Sequence, residues 1–196
     1  MKKGKIYIGT SGWHYKHWKG TFYPDDIKEQ EQFCVYSKSF KTVEINNTFY
    51  HLPAIKAFCD WRKNAPEDFI FSVKANRYIT HMKKLIPDLS AINMFLSHAE
   101  KLENKLGPIL FQLPPRWKIN IARLKSFVSI LPKGHLYTFE FRNETWHSNK
   151  VYEVLKKYNC AFCIFELDKY ISPIKETANF VYIRLHGPKG KYQGKL

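Results

Sequence analysis

Glu44, Lys74, Gln112, Glu140, Arg142, Arg184 and His186 are polar side chains set late in short β-rich runs of an otherwise apolar character. In a strand, residues two apart share a face. Glu44 therefore shares a face with Asn46, and Glu140 with Thr138 and Arg142, while Arg184 shares one with His186. Lysine supplies a point charge and arginine a rigid fork suited to carboxylate or phosphate oxygens, so Lys74, Arg142 and Arg184 are expected to meet the anionic parts of a ligand. Glu140 would orient an arginine or act as general acid or base, and Glu44 is a second carboxylate for that work. His186 is the natural proton shuttle, since its unperturbed pKa lies near neutrality. An acid–base role predicts that one buried carboxyl titrates above its ordinary range. The bland alternative is an internally paired layer of charges that only fills space.

The first loop adds a second group. Gly9-Thr-Ser-Gly-Trp-His-Tyr15 follows a strand, and Trp18, Phe22 and Tyr23 come soon after. Its glycines permit tight turns and its amides could cup an anion. The spacing is neither a dinucleotide fingerprint nor a phosphate-binding Walker loop. Trp13 and Tyr15 are candidates for stacking on a base or sugar, with packing as the simpler role. Asn46, Gln112 and His81 complete the expected ligand-binding set. Glu44, Glu140 and His186 come from separate runs and no HExxH occurs, so no metal or cofactor is expected. Cys160-Ala-Phe-Cys163 has redox spacing but lies in a strand with no second cysteine pair, so its thiols read as buried and inert.

These residues need a scaffold of parallel strands. Runs at 5–9, 42–46, 69–74, 109–113, 136–142, 161–165 and 180–186 read as strands. Between them, 26–40, 55–61, 89–106, 121–131 and 150–158 carry helical spacing, with Asp88 or Ser90 and Ser148 as candidate caps. The fold class expected is α/β, a (β/α) TIM-like barrel with seven parallel strands and the eighth missing, as one incomplete domain over 1–196. The polar ends of the strands would then converge on the C-terminal rim, where barrel active sites form. The missing strand leaves an open barrel, a fragment, or a gap that a partner covers, because a bare strand edge invites pairing.

With 32 basic and 17 acidic residues the chain has a formal net charge of +15, enough to attract anions without specifying a site. No apolar stretch is long enough to span a bilayer and the basic start has no apolar run after it, so no membrane and a cytoplasmic location are expected.

The motifs resemble those of the YecE-like family of uncharacterised bacterial proteins. The matching stretches are Gly9-Thr-Ser-Gly-Trp13 with Trp18-Lys-Gly-Thr-Phe-Tyr-Pro24, Thr42-Val-Glu-Ile-Asn-Asn-Thr-Phe-Tyr50 and Phe71-Ser-Val-Lys-Ala75. They continue with Ile79-Thr-His81, Leu106-Gly-Pro-Ile-Leu-Phe-Gln-Leu-Pro-Pro115, Phe139-Glu-Phe-Arg142 with Trp146, and Tyr182-Ile-Arg-Leu-His-Gly187. The resemblance implies a TIM-barrel-like fold and no established activity. It places the family's recurrent polar positions on Glu44, Asn46, Lys74, Thr80, His81, Gln112, Glu140, Arg142, Arg184 and His186. Asn143 stands where relatives carry histidine, and the helix and final strand usual in relatives after the His-Gly stretch have no counterpart here.

The leading functional reading is an enzyme acting on a phosphate-containing or other anionic substrate in a basic polar pocket. The alternatives are non-catalytic binding of a nucleic acid or anionic metabolite, a structural or adaptor role with a partner over the open edge, and a chain that lacks the function of its longer relatives.

Overall fold

A computed structural model describes residues 4–187. They contain the strands β1 (Gly9–Thr10), β2 (Thr42–Ile45), β3 (Ile70–Lys74), β4 (Leu106–Leu113), β5 (Tyr137–Phe141), β6 (Ala161–Leu167), β7 (Tyr170–Ile171) and β8 (Tyr182–Leu185). The helices are α1 (Glu29–Ser39), α2 (Ile55–Asn64), α3 (Leu89–Ala99), α4 (Ile121–Ser129) and α5 (Asn149–Lys157). Alternating strands and helices with parallel ladders make the fold an incomplete (β/α) TIM-like barrel. Contacts divide the chain into two compact units, one holding Asn93–Gly107 and the described residues up to Lys74, the other Ala75–Ile92 and those from Pro108 on.

In the first unit β1, β2 and β3 pair in parallel, with Thr42 beside Gly9 and Ile70, and Glu44 beside Ser72. Val43, Ile45, Phe71 and Val73 form the opposite, buried face. Phe33 of α1 stacks on Phe71 with centroids 5.7 Å apart and meets Phe69 edge-on. Tyr36 of α1 ties the first two strands together. Its hydroxyl accepts from the Thr10 amide at 2.9 Å and donates to the Thr42 carbonyl at 2.9 Å.

The expected first strand shrinks to Gly9 and Thr10. Only these two residues have ladder partners on β2, and Ile6 and Ile8 before them are exposed. Gly9 is required where it stands, because an added Cβ would run into the Thr42 carbonyl oxygen. Lys105 donates to the carbonyls of Arg62 at 2.8 Å and Ala65 at 2.6 Å, closing the end of α2.

In the second unit β4, β5, β6 and β8 pair in parallel, and the two-residue β7 turns back antiparallel on β6. That hairpin is absent from the sequence-based pattern, which gives only parallel strands. Phe111, Phe139, Phe141 and Phe162 stack in sequence on one face of the sheet, with centroids 5.1–6.1 Å apart. Phe127 of α4 and Tyr152 of α5 meet this row edge-on. Burying such rings adds to the apolar stabilisation that Leu110, Leu113, Leu124, Val151 and Leu155 supply in the same unit.

Helix starts follow the expected chemistry in part. Asp88 accepts from the Ala91 amide at 3.0 Å and Asn120 from the Arg123 amide at 2.9 Å. Ser148 holds the position before α5, but its hydroxyl makes no capping bond and is buried without a partner. The helical spacing over 89–106 breaks at Glu103, whose φ of 50° ends the run, and β4 starts at Leu106, so Gly107 and Pro108 lie in the strand.

Candidate functional site

The second unit brings Gln112, Glu140, Arg142, Arg184 and His186 into one connected group. The β4–β5 register sets Gln112 beside Glu140, and Gln112 Nε2 donates to Glu140 Oε1 at 2.9 Å. Arg142, two residues along the same strand direction, reaches back so that its Nε donates to Oε1 at 2.6 Å. Arg184 of β8 donates from Nη1 to Oε2 at 2.5 Å. His186 Nε2 lies 3.5 Å from Arg184 Nη1, and its backbone amide donates to the Glu166 carbonyl at 3.2 Å.

Glu140 has 0% of its surface exposed and Arg184 has 6%. Burial alone pushes the Glu140 carboxyl up, but the Arg184 and Arg142 charges and their hydrogen bonds together outweigh it and hold the carboxyl down at about 2. An acid–base role calls for one carboxyl raised above its ordinary range, and at Glu140 the shift runs the other way. A carboxylate that accepts from Gln112 and two guanidinium groups is fixed in its ionised form and orients the arginines. Arg142 is also the more accessible arginine, and among the described residues its terminal nitrogens have no hydrogen-bonding partner.

A second arrangement lies beside it in the same unit. His147 Nε2 donates to the Phe141 carbonyl at 2.9 Å, which leaves Nδ1 to accept from the Tyr170 hydroxyl at 2.8 Å. Tyr170 packs on the cluster of Leu110, Cys163 and Phe165. Nothing in the sequence pattern signals this pair, because Tyr170 arrives through the β6–β7 hairpin. Thr138, two residues before Glu140, is fully buried with a hydroxyl that has no partner.

His81 sits in a π-helical turn, Tyr78–Met82, and its Nδ1 lies 2.9 Å from the Thr80 hydroxyl. Lys84 and Leu85 follow with φ of 47° and 58°, left-handed values that side chains adopt at a cost. Arg123 of α4 holds this bend by donating to the Lys83 and Lys84 carbonyls at 3.5 and 3.3 Å.

In the first unit Glu44 and Lys74 are both buried. Glu44 Oε1 accepts from the Ser11 hydroxyl at 3.3 Å, and Lys74 Nζ stands 4.3 Å from the Phe49 ring centroid. Asn46 begins a short 3-10 turn, its carbonyl accepting from the Phe49 amide at 3.0 Å. Ser11 escaped the sequence reading, although the alternation from Gly9 places it on the Glu44 face. Trp13 is enclosed by His14, Phe33 and Trp61, and its indole nitrogen is buried without a partner. Tyr15 lies against Trp18 with centroids 4.7 Å apart, and its hydroxyl donates to the Ser11 carbonyl.

Among the described residues no group of His, Cys, Asp and Glu side chains is arranged to hold a metal ion, and no helix is long and apolar enough to cross a membrane. Cys160 and Cys163 are buried free thiols, and burial pushes the Cys160 thiol up to about 12.

Comparison with known proteins gives this geometry a family and no chemistry. The family model described as "Protein of unknown function DUF72" matches residues 7–195. The UPF0759 protein YunF of Bacillus subtilis is 34% identical over 160 residues, covering 76% of this chain and 54% of YunF. The UPF0759 protein YecE of Escherichia coli is 30% identical over 142 residues, covering 70% of this chain and 48% of YecE. The chain thus spans about half the length of the curated relatives it matches. A DUF72 family protein of Thermotoga maritima superposes with a TM-score of 0.83 at 27% identity, over 97% of this chain and 78% of that one. A DUF72 protein of Enterococcus faecalis, at 21% identity and a TM-score of 0.72 over 95% of this chain and 71% of its own, shares the fold. On its sequence and its fold together, the chain belongs to the DUF72, YecE-like family.

Proposed function

We propose that this protein is an enzyme acting on a phosphate-containing or other anionic substrate, with the anion seated on Arg142 and Arg184. The observation that carries the reading is Glu140, fully buried, held ionised, and bonded to both guanidinium groups. Pinning two arginines before the ligand arrives lowers the ordering cost of binding and preorganises charge for a transition state. Glu140 is then a positioning residue. His186, beside Arg184, is the proton shuttle, since an imidazole can give and take a proton near neutral pH.

Glu44, with Ser11 as its hydrogen-bonding neighbour, and Lys74 are proposed as polar, ligand-facing groups of the first unit. One domain over the whole chain and a cytoplasmic location belong to the same proposal, the latter supported by four free cysteines.

The test is titration of inorganic phosphate and of a generic phosphomonoester into the protein at low and moderate salt. Binding is expected to weaken at least tenfold in Arg142→Ala, with the thermal transition little changed. His186→Ala is expected to keep the affinity and lose any phosphomonoester turnover. Equal affinity in wild type and Arg142→Ala removes the anion site. Binding to single- and double-stranded nucleic acid that falls steeply with salt, with no turnover of any ester, favours the non-catalytic alternative instead.

A further inference from the structure

We infer that the Tyr170 hydroxyl is a third donor to the anion, a role that rests on the seat proposed at Arg142 and Arg184, and that His147 takes up a proton to free it. The ladders place Tyr170 next to the residue that the two arginines flank. Phe165 of β6 pairs with Arg184 of β8. The β5–β6 register sets Phe139 beside Phe162, and carried three residues on it brings Arg142 level with Phe165. Phe165 shares its face with Cys163 and Leu167, since residues two apart in a strand point the same way. Leu167 pairs with Tyr170 across the β6–β7 hairpin, so Tyr170 joins this face, and its ring centroid lies 5.9 Å from that of Phe165.

His147 links this hydroxyl to the strand end that carries Arg142. Its Nε2 meets the Phe141 carbonyl at 2.9 Å, and its Nδ1 meets the Tyr170 hydroxyl at 2.8 Å. A carbonyl only accepts, so Nε2 keeps its hydrogen whether the ring is neutral or charged. While His147 is neutral, the single hydrogen of Tyr170 is engaged by Nδ1. An added proton has only Nδ1 to bind. Nδ1 then donates to the Tyr170 oxygen, and the hydroxyl hydrogen swings about its C–O bond to another acceptor. An oxyanion on Arg142 and Arg184 is that acceptor. One proton passes from solvent to Nδ1, and no bond in the ligand is made or broken.

The charges around the pair suit a proton that arrives with the anion. Burial, with Glu144 in the turn before His147 and Tyr152 of α5, holds the Tyr170 phenol above its ordinary range, so it stays a protonated donor. From β6 the rings of Phe162 and Phe165 meet His147 edge-on. The Cys163 thiol of β6 and the Tyr182 phenol of β8 are the other titratable groups in the cluster on which Tyr170 packs. Glu144 favours a charged imidazole, while Arg142 at the end of β5 and Arg184 on β8 oppose it. A bound anion offsets the arginine charge, so proton and anion each strengthen the binding of the other.

The experiment titrates inorganic sulfate, an oxyanion that keeps its charge across neutral pH, into the protein in buffers of differing ionisation enthalpy. Wild type should take up roughly half to one proton per sulfate near neutral pH and should bind less tightly as pH rises. Tyr170→Phe keeps the ring packing and should weaken sulfate about tenfold, the worth of one hydrogen bond to a charged group, with the proton uptake lost. His147→Gln can still donate to Phe141 and accept from Tyr170 but gains no proton, so it should show the same weakening and a flat pH dependence. Nitrogen NMR of the wild-type protein should show Nδ1 of His147, the resonance missing in His147→Gln, turning from acceptor to protonated as sulfate is added. Unchanged affinity or unchanged proton uptake in Tyr170→Phe, or uptake that persists in His147→Gln and vanishes in His186→Gln, overturns the inference and leaves the arginine seat standing. Equal sulfate affinity in wild type and Arg142→Ala, or no binding at all, removes the seat and the role of Tyr170 with it.

Discussion

Replacing Glu140 with glutamine removes the carboxylate that faces Arg142 and Arg184 while keeping the volume and the acceptor for Gln112. The cost follows from the titration of the group itself. In the unfolded chain the carboxyl titrates at its ordinary value of 4.5, and in the folded protein at about 2. Between those values the unfolded state binds more protons, so stability rises with pH. It is fully present above pH 4.5 and lost as pH falls toward 2. The fall from 4.5 to about 2 corresponds to about 3 kcal/mol, at the lower end of the roughly 3–5 kcal/mol for breaking one side of a buried ion pair.

For a chain of this size each kcal/mol moves the thermal midpoint by about 2–4 °C, so Glu140→Gln should lower Tm by about 6–12 °C at neutral pH. Urea denaturation of both proteins from pH 7 to pH 2.5 provides the check. The gap between them should be full above pH 5 and should narrow steadily below pH 4.5 as the wild-type carboxylate is protonated. A gap below about 1 kcal/mol at pH 7, or one that stays constant to pH 2.5, would refute the assignment of Glu140 as the ionised anchor of two arginines.

Other perturbations test the scaffold. Gly9→Ala forces a Cβ into the Thr42 carbonyl and should cost about 3 kcal/mol, the upper range for overpacking, read as a lower urea midpoint. Tyr36→Phe strips the hydroxyl that joins the Thr10 amide to the Thr42 carbonyl and should cost about 1–3 kcal/mol by the same measurement. Maleimide should label exposed Cys34 quickly in the native protein and leave Cys160 and Cys163 unlabelled until denaturant is added. Rapid native labelling of Cys160 would contradict its burial and its raised thiol pKa.

The sequence by itself determined the alternation of strands and helices and the face on which each polar residue lies. Period two and period three-and-a-half apolar patterns are local properties, set by backbone geometry before any tertiary contact forms. That is why Gln112, Glu140 and Arg184 were legible as one inward-facing set, and why the buried Phe139 and Phe141 were legible as their opposite. The length of β1, the β6–β7 hairpin with its Tyr170–His147 bond, and the Glu103 break were not legible, because each depends on which neighbour is available to pair or pack. Only the tertiary structure decided the ionisation of Glu140. Its neighbours Arg142 and Gln112 come from the same or the next strand, but Arg184 lies 44 residues away. The direction of a buried carboxyl's shift turns on whether such a distant charge arrives within hydrogen-bonding distance.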